Sequence, residues 1–219
     1  MTAQDDASPD SQIRRFALVR DRLASSPLTR AGGLLRTRIL DSHGLTTLVR
    51  DAEQAHPQAS EARIETPRSG ERGDPDRWLE SAPGGPALEQ FASSALVLDT
   101  LARATGVAWQ PAGPGTWSYY RRKGHHLGIH RDLAVCDLAV ITCVADQGGH
   151  DPAGLLRCWP SRARESLDDI RSNPQHALHV RLRPGDTVLL LGGIVAHQVL
   201  PLGPRQLRIV APLCYQAAA

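Results

Sequence analysis

The chain has 219 residues, enough for one substantial hydrophobic core and too few for several independent ones. Its 25 basic residues against 23 acidic ones leave a formal net charge of +2, which argues against nucleic acid or an anionic membrane as the main partner. With 41% hydrophobic and 22% charged residues the composition is that of a folded globular protein, and disorder is not its default state.

Residues 1 to 11 read as a polar, acidic tail without the basic start and apolar run of a signal peptide, and no apolar run approaches a membrane span. The cytoplasm is therefore the expected location. Ile13, Phe16, Ala17, Val19 and Leu23 recur at near-helical spacing and predict a short amphipathic helix over Gln12 to Ala24. Residues 1–29 are thus expected to form a tail and short helix, and residues 30–219 the domain proper. Leu34 to Leu40 reads as a strand, followed by Asp41 as the cap of a helix over Ser42 to Ala55 with Leu45, Leu48 and Val49 along its apolar stripe. From His56 to Gly85 the composition shifts to Pro, Gly, Arg, Ser and acidic residues. That predicts a long surface loop, interrupted only near Ala62 to Glu65 and Arg77 to Leu79, and able to act as a lid. Pro86 to Thr105 predicts one more helix, opened by a proline and closed by Gly106.

Beyond Gly106 the helical period gives way to short strands separated by turn signals. Eight are expected: Thr116 to Arg121, Leu127 to Asp132, Asp137 to Ala145, Gly154 to Trp159, Ala177 to Leu182, Thr187 to Gly192, Ala196 to Val199 and Arg208 to Tyr215. Eight strands make two four-stranded sheets, the double-stranded β-helix or jelly roll, so the predicted class is mainly β with supporting helices. Cys136, Cys143, Cys158 and Cys214 show no C-x-x-C spacing and lie in apolar runs, and all four are expected as reduced core residues.

The residues that carry chemistry lie among these strands. His130 and Asp132 are two apart, so both project to one face of their strand and offer an imidazole nitrogen and a carboxylate oxygen to one point. His197 arrives 67 residues later, after the turn Arg183-Pro184-Gly185-Asp186 and the strand Thr187 to Leu191, on a segment able to return to the same mouth. Two histidines and one carboxylate on one face form a facial triad with open positions, suited to non-haem iron. A zinc hydrolase on the same residues would need a general base beside the metal, and none is evident.

The stretch from Tyr120 to Tyr215 resembles the prolyl-4-hydroxylase-like branch of the Fe(II)/2-oxoglutarate dioxygenase superfamily. The resemblance is carried by Tyr120-Arg-Arg-Lys-Gly-His-His-Leu-Gly-Ile-His130-Arg-Asp132, the apolar strand Asp137 to Asp146, Gly154-Leu-Leu-Arg-Cys-Trp159, the turn Pro184-Gly185-Asp186, and His197-Gln-Val-Leu-Pro201. It implies a metal held by His130, Asp132 and His197, with 2-oxoglutarate and dioxygen as co-substrates. It also implies decarboxylation to succinate, an Fe(IV)-oxo species, and hydroxylation of a C–H bond in a small-molecule or peptidyl substrate. Retention of Asp132 sets the chain apart from related halogenases, which carry a small residue there, and so implies hydroxylation, with desaturation and ring closure left open. The family places a basic residue about ten positions past the distal histidine to grip the far carboxylate of 2-oxoglutarate, a task suited to the planar fork of arginine. Arg208, within the last strand, is favoured over Arg205 on the turn before it, and Tyr120 is a second candidate ligand of the same co-substrate.

Other residues carry lesser expectations. His125 and His126 lie on the approach to the metal strand. His150, His176 and His179 sit on loops or a strand edge and are expected to face solvent. Arg157 and Trp159 share one face of their strand, with core packing the favoured role of the tryptophan. Arg131 should point away from the metal. The competing class of function is a jelly-roll module that retains a metal site and binds a ligand without catalysis. The substrate and the oligomeric state are not legible in the sequence.

Overall fold

In the computed structural model of the protein, described for residues 23–65, 75–148 and 152–218, the two runs of four strands anticipated from the sequence form the core of one curled antiparallel sheet. One run is β10 (Asp186–Leu190), β7 (Leu138–Gln147), β12 (Leu207–Ala217) and β5 (Thr116–Tyr120). The other is β6 (His126–His130), β11 (His197–Val199), β8 (Leu156–Cys158) and β9 (Leu178–Val180). The fold is a double-stranded β-helix. Strand β1 (Leu34–Arg38) extends the first run beyond β10, and β4 (Trp109–Pro111) pairs with the end of β12. Most of the predicted amphipathic helix lies outside the described residues. From Leu23 the chain enters a short helix α1 (Pro27–Arg30), whose Leu28 is buried in the core.

The segment read as a surface loop is the main correction. It contains β2 (Ser60–Ile64) and β3 (Arg77–Pro83), and β3 lies between β5 and β6, joining the two runs. Alternation is hidden in β3 because a charged residue takes an inward position. Glu80 is buried and is answered by His56 at 3.0 Å and by Arg122 at 3.6 Å. Residues 66–74 lie outside the described residues.

The predicted helix over Ser42 to Ala55 is α2, and its cap forms as expected, Gly44 N–H donating to Asp41 Oδ1 at 2.7 Å. The helix expected over Pro86 to Thr105 is two helices, α3 (Pro86–Ala92) and α4 (Ala95–Thr105). Two serines cause the break. The Ser93 hydroxyl bonds back to Glu89 O at 2.9 Å, and Ser94 caps α4 by accepting from Val97 N–H, so side chains compete with the helical ladder there. Helices α2 to α4 pack on one face of the first run. Tyr119 donates to Ala52 O at 2.7 Å and Tyr215 to Ala92 O at 2.8 Å, which fixes the helices to the sheet. A second apolar cluster fills the space between the two runs, and α5 (Leu167–Ser172) covers the outside of the second run with Trp159, Ile170 and Ala196.

The expectation of four reduced cysteines is overturned in part. Cys136 and Cys214 form a disulfide, because the register of β12 on β7 brings their Cα atoms within 5.0 Å despite a separation of 78 residues. No local spacing announces such a pair. Cys143 and Cys158 are free and buried, and burial pushes the Cys143 thiol up to about 12. No described helix is long and apolar enough to cross a membrane.

Asp51 of α2 holds helix and sheet together. Its buried carboxylate accepts from Trp117 Nε1 at 2.8 Å and from the backbone N–H groups of Gly85 and Ala87 at 2.9 Å each. Asp51→Ala would strand three donors away from water and should lower stability by about 3 kcal/mol. A urea midpoint within error of the parent would refute that account.

Candidate metal centre

Strand β6 lies antiparallel to β11 with His130 directly opposite His197, so two imidazoles distant in sequence face each other with ring centroids 4.1 Å apart. A register shift between His197 and Val199 lets Leu127 as well as His130 face the interior, which strict alternation from the sequence would not give. Asp132 follows the end of β6 and is tied by its N–H to Gly192 O at 2.8 Å. Its Oδ1 stands 3.6 Å from His130 Nε2 and 3.5 Å from His197 Nε2. One ligand atom from each of the three residues lies within 4.8 Å of the others.

The histidine tautomers are set by the backbone. His130 Nδ1–H donates to Gly128 O at 2.9 Å and His197 Nδ1–H to Val195 O at 3.0 Å, leaving both Nε2 lone pairs aimed at the carboxylate. Donors about 2.1 Å from a common ion and at right angles to one another would lie about 3 Å apart, so the set fits a divalent metal after a small inward movement. Charge supports this. Burial alone would push the Asp132 carboxyl up, but the adjacent His197 and His130 outweigh it and hold the carboxyl well below the usual range. Burial pulls His130 down, helped by His197. Burial also pulls on His197, but the Asp132 carboxylate outweighs it and raises that imidazole.

The three residues line one end of a cavity between the two runs, walled by Leu127, Ile141, Leu156 and Val199 among others. Three further polar residues line it, Ser118, Tyr120 and Arg208, and the last two are cross-strand partners in the pairing of β5 with β12. Arg208 is 1% exposed; its Nη1–H donates to Gly154 O at 2.8 Å, and its buried Nε has no partner among the described residues. No described carboxylate pairs with it. Asp146, opposite in register, is engaged by Arg181 at 3.2 Å. The Tyr120 hydroxyl makes no hydrogen bond among the described residues, unlike those of Tyr119 and Tyr215, and burial pushes its phenol up so that it stays protonated.

The remaining residues fall elsewhere. Arg205 is exposed on its turn and lines a different depression with Gly203 and Gln206. His125 is fully buried against Trp78 and accepts from Arg121 N–H, while His126 stands 3.3 Å from Asp76, and neither lines the cavity. Arg131 turns away from the metal residues, as expected, and donates to the carbonyls of Ile194, Ala163 and Glu165. Trp159 is core, with Arg157 stacked on it at 4.9 Å. His176 is exposed at a positive φ and His179 is exposed on β9, whereas His150 lies outside the described residues.

One contributor escaped the sequence reading. Gly192 sits so close to Asp132 that a Cβ there would lie 1.7 Å from Oδ2. The pair Gly192-Gly193 shortly before the distal histidine was its only signal.

No protein-family model matches the chain, and no curated protein matches it. Solved structures do. The non-haem α-ketoglutarate-dependent epimerase SnoN from nogalamycin biosynthesis superposes with a TM-score of 0.66 at 14% identity, over 91% of this chain and 83% of that one. A prolyl-4-hydroxylase from Pseudomonas putida gives 0.55 at 18% identity, over 91% and 98% of the two chains. HygX from Streptomyces hygroscopicus, solved with nickel and 2-oxoglutarate bound, gives 0.59 at 14% identity, over 96% and 87%. At such identities the likeness establishes the shared fold.

The Gly192 contact gives a test that touches no ligand. Gly192→Ala should displace the Asp132 carboxylate and weaken Ni(II) or Mn(II) binding at least tenfold in calorimetric titration, with the far-ultraviolet spectrum unchanged. Undiminished affinity would show that the close approach does not position Asp132.

Proposed function

We propose that the protein is an Fe(II)- and 2-oxoglutarate-dependent dioxygenase that hydroxylates a C–H bond of a small-molecule or peptidyl substrate. The observation that carries this reading is a single cavity with a His–Asp–His donor set at one end and a buried arginine without a counter-ion among its walls. A desolvated guanidinium with no carboxylate beside it is costly unless an anion arrives to pair with it. The structural neighbours solved with metal and 2-oxoglutarate bound support the choice of cofactors.

In this reading Nε2 of His130, Nε2 of His197 and Oδ1 of Asp132 would hold the metal, and a three-residue donor set of this kind would leave it able to take up 2-oxoglutarate and dioxygen. When bound, the iron supplies the site at which dioxygen is activated as 2-oxoglutarate is oxidised to succinate and carbon dioxide. Arg208 holds the distal carboxylate through a charge-assisted contact from its free edge, and the neutral Tyr120 hydroxyl donates to the same group. The walls of Leu127, Ile141, Leu156 and Val199 keep water from these contacts and so strengthen them. The Asp132 carboxylate occupies the place that a halide would need, which favours hydroxylation. Among the described residues no second carboxylate lines the cavity to serve as the base of a metal hydrolase.

Anaerobic addition of Fe(II) and 2-oxoglutarate should produce the visible charge-transfer band of the chelate, and admission of air should yield succinate. Asp132→Ala and His197→Ala should abolish the band, and its survival in either would refute the ligand assignment. Arg208→Ala should weaken 2-oxoglutarate binding roughly 10- to 100-fold, the range for a lost hydrogen bond to a charged group, and Arg205→Ala should change it less than twofold. The reverse order would overturn the choice of arginine.

A further inference from the structure

The four cysteines divide into two kinds. Cys143 and Cys158 are buried, and burial pushes both thiols up, so neither presents the thiolate that disulfide chemistry needs. The bridged pair is placed differently. Cys214 is half-buried on β12 and lines the same cavity as His130, Asp132 and His197. Its partner Cys136 lies four residues beyond Asp132, at the far end of the loop that joins this residue to β7.

That loop has almost no core of its own. Leu133, Ala134 and Val135 are all exposed, and Cys136, 1% exposed, is the one buried residue between Asp132 and Leu138. A segment with so little buried side chain opens locally at a cost far below that of global unfolding, unless something else restrains it. The hydrogen bonds that do so run to β12, from Asp137 N–H to Tyr215 O at 3.1 Å and from Gln216 Nε2 to Val135 O at 3.2 Å. The disulfide is the covalent restraint in the same direction. At the other end of the loop the fit is close: Asp132 N–H donates to Gly192 O at 2.8 Å, and a Cβ on Gly192 would lie 1.7 Å from Asp132 Oδ2. A carboxylate seated this closely shifts when the loop behind it shifts.

We propose that the Cys136–Cys214 disulfide is a positioning element for Asp132, so that a dithiol reductant which opens it lowers the affinity of the His130–Asp132–His197 centre for its ion. Metal loading is thereby tied to thiol redox state. The proposal needs the metal centre alone and holds whatever reaction the centre performs.

The exchange balances without a further reactant. A thiolate of the reductant attacks Cys214 Sγ, the S–S bond breaks, and Cys136 leaves as a thiolate that takes up a proton. The second thiol of the reductant then attacks the mixed disulfide, which frees Cys214 as a thiol and leaves the reductant as its own cyclic disulfide. Two electrons and two protons pass to the chain. Because Cys143 and Cys158 stay protonated, reoxidation returns the original pair.

The test titrates the full chain with Mn(II), an ion that thiols bind poorly, in a calorimeter. Oxidised protein is compared with protein reduced by dithiothreitol and desalted anaerobically. Reduction should weaken Mn(II) binding by roughly tenfold or more, the range for losing a group that orients a metal ligand, and reoxidation with glutathione disulfide should restore it. Cys136→Ser should show the same loss and no response to the reductant, whereas Cys143→Ala should respond as the parent does. Amide hydrogen exchange separates positioning from general bracing. On reduction the amides of Asp132 and Cys136 should exchange faster while β7 and β12 stay protected. Equal Mn(II) affinity in the two redox states would overturn the proposal. So would a rise in exchange shared equally by β7 and β12, which would make the bridge a brace of the whole sheet. The reduced parent carries no substitution, so both readings stand even where Cys136→Ser fails to fold. Absence of Mn(II) binding by the oxidised parent is a separate result, and it would remove the metal centre and this proposal with it.

Discussion

The pairing of β6 with β11 in a single register is the constraint on which the site depends. His130 and His197 meet because they are direct cross-strand partners, and a slip of one residue would send His197 to the outer face of the sheet. Several contacts outside the pair exclude that slip. On the far side of β11, Cys158 is fixed opposite His197 and Leu156 opposite Val199, and Trp159 N–H donates to Ala196 O at 2.9 Å. On the near side β6 is held by β3, and Asp132 is tied to Gly192. The metal residues therefore inherit their geometry from backbone pairing on both flanks, which fixes it before any ion is present.

The polar groups of the cavity are few and separated by apolar wall. Among the donor residues Asp132 is held ionised and burial keeps His130 neutral, as a cation site requires, whereas the Asp132 carboxylate raises His197 and so competes as the partner a bound cation would replace. The opposite character is found at Arg208, a positive group whose side chain makes one hydrogen bond among the described residues, to a neutral carbonyl. That carbonyl comes from Gly154, which has a φ of 68° and where a Cβ would lie 2.8 Å from Gln206 Nε2, so glycine is needed for both the backbone conformation and the space. In the proposed reading, a molecule with an anion at one end and metal-chelating oxygens at the other would answer both groups at once.

Much of this was legible in the sequence, for reasons that differ by element. The eight strands were readable because turn residues punctuate them and because each buries apolar side chains, and the triad was readable because His130 and Asp132 share a strand face and His197 follows a strong turn and strand. What escaped was set by contacts remote in sequence. Strand β3 was hidden because its buried Glu80 is balanced by His56 and Arg122, so a charge stood where the pattern demands a hydrophobe. The break between α3 and α4 depends on the hydroxyls of Ser93 and Ser94, which a helical period with a proline start and a glycine stop does not register. The disulfide depends on the register of β12 against β7, which no spacing rule encodes. The role of Gly192 depends on a carboxylate arriving from another loop.

Strand β12 connects these features. Along its 11 residues it carries Arg208 in the cavity, pairs with β5 beside Tyr120, bonds to Cys136 through Cys214, and anchors α3 through Tyr215. Cys136 closes the loop that begins at Asp132, so a covalent link runs from the metal-proximal loop to the strand that bears the arginine. Displacing that loop would therefore strain β12, and β12 is held by its long pairing with β7 and by the helices behind it. The two ends of the cavity are in this way parts of one braced unit, and the distance between the donor set and Arg208 is set by the sheet rather than by the molecule that enters. A cavity braced like this keeps its donor set and its arginine at a fixed spacing, so that length and charge would decide what can bridge them.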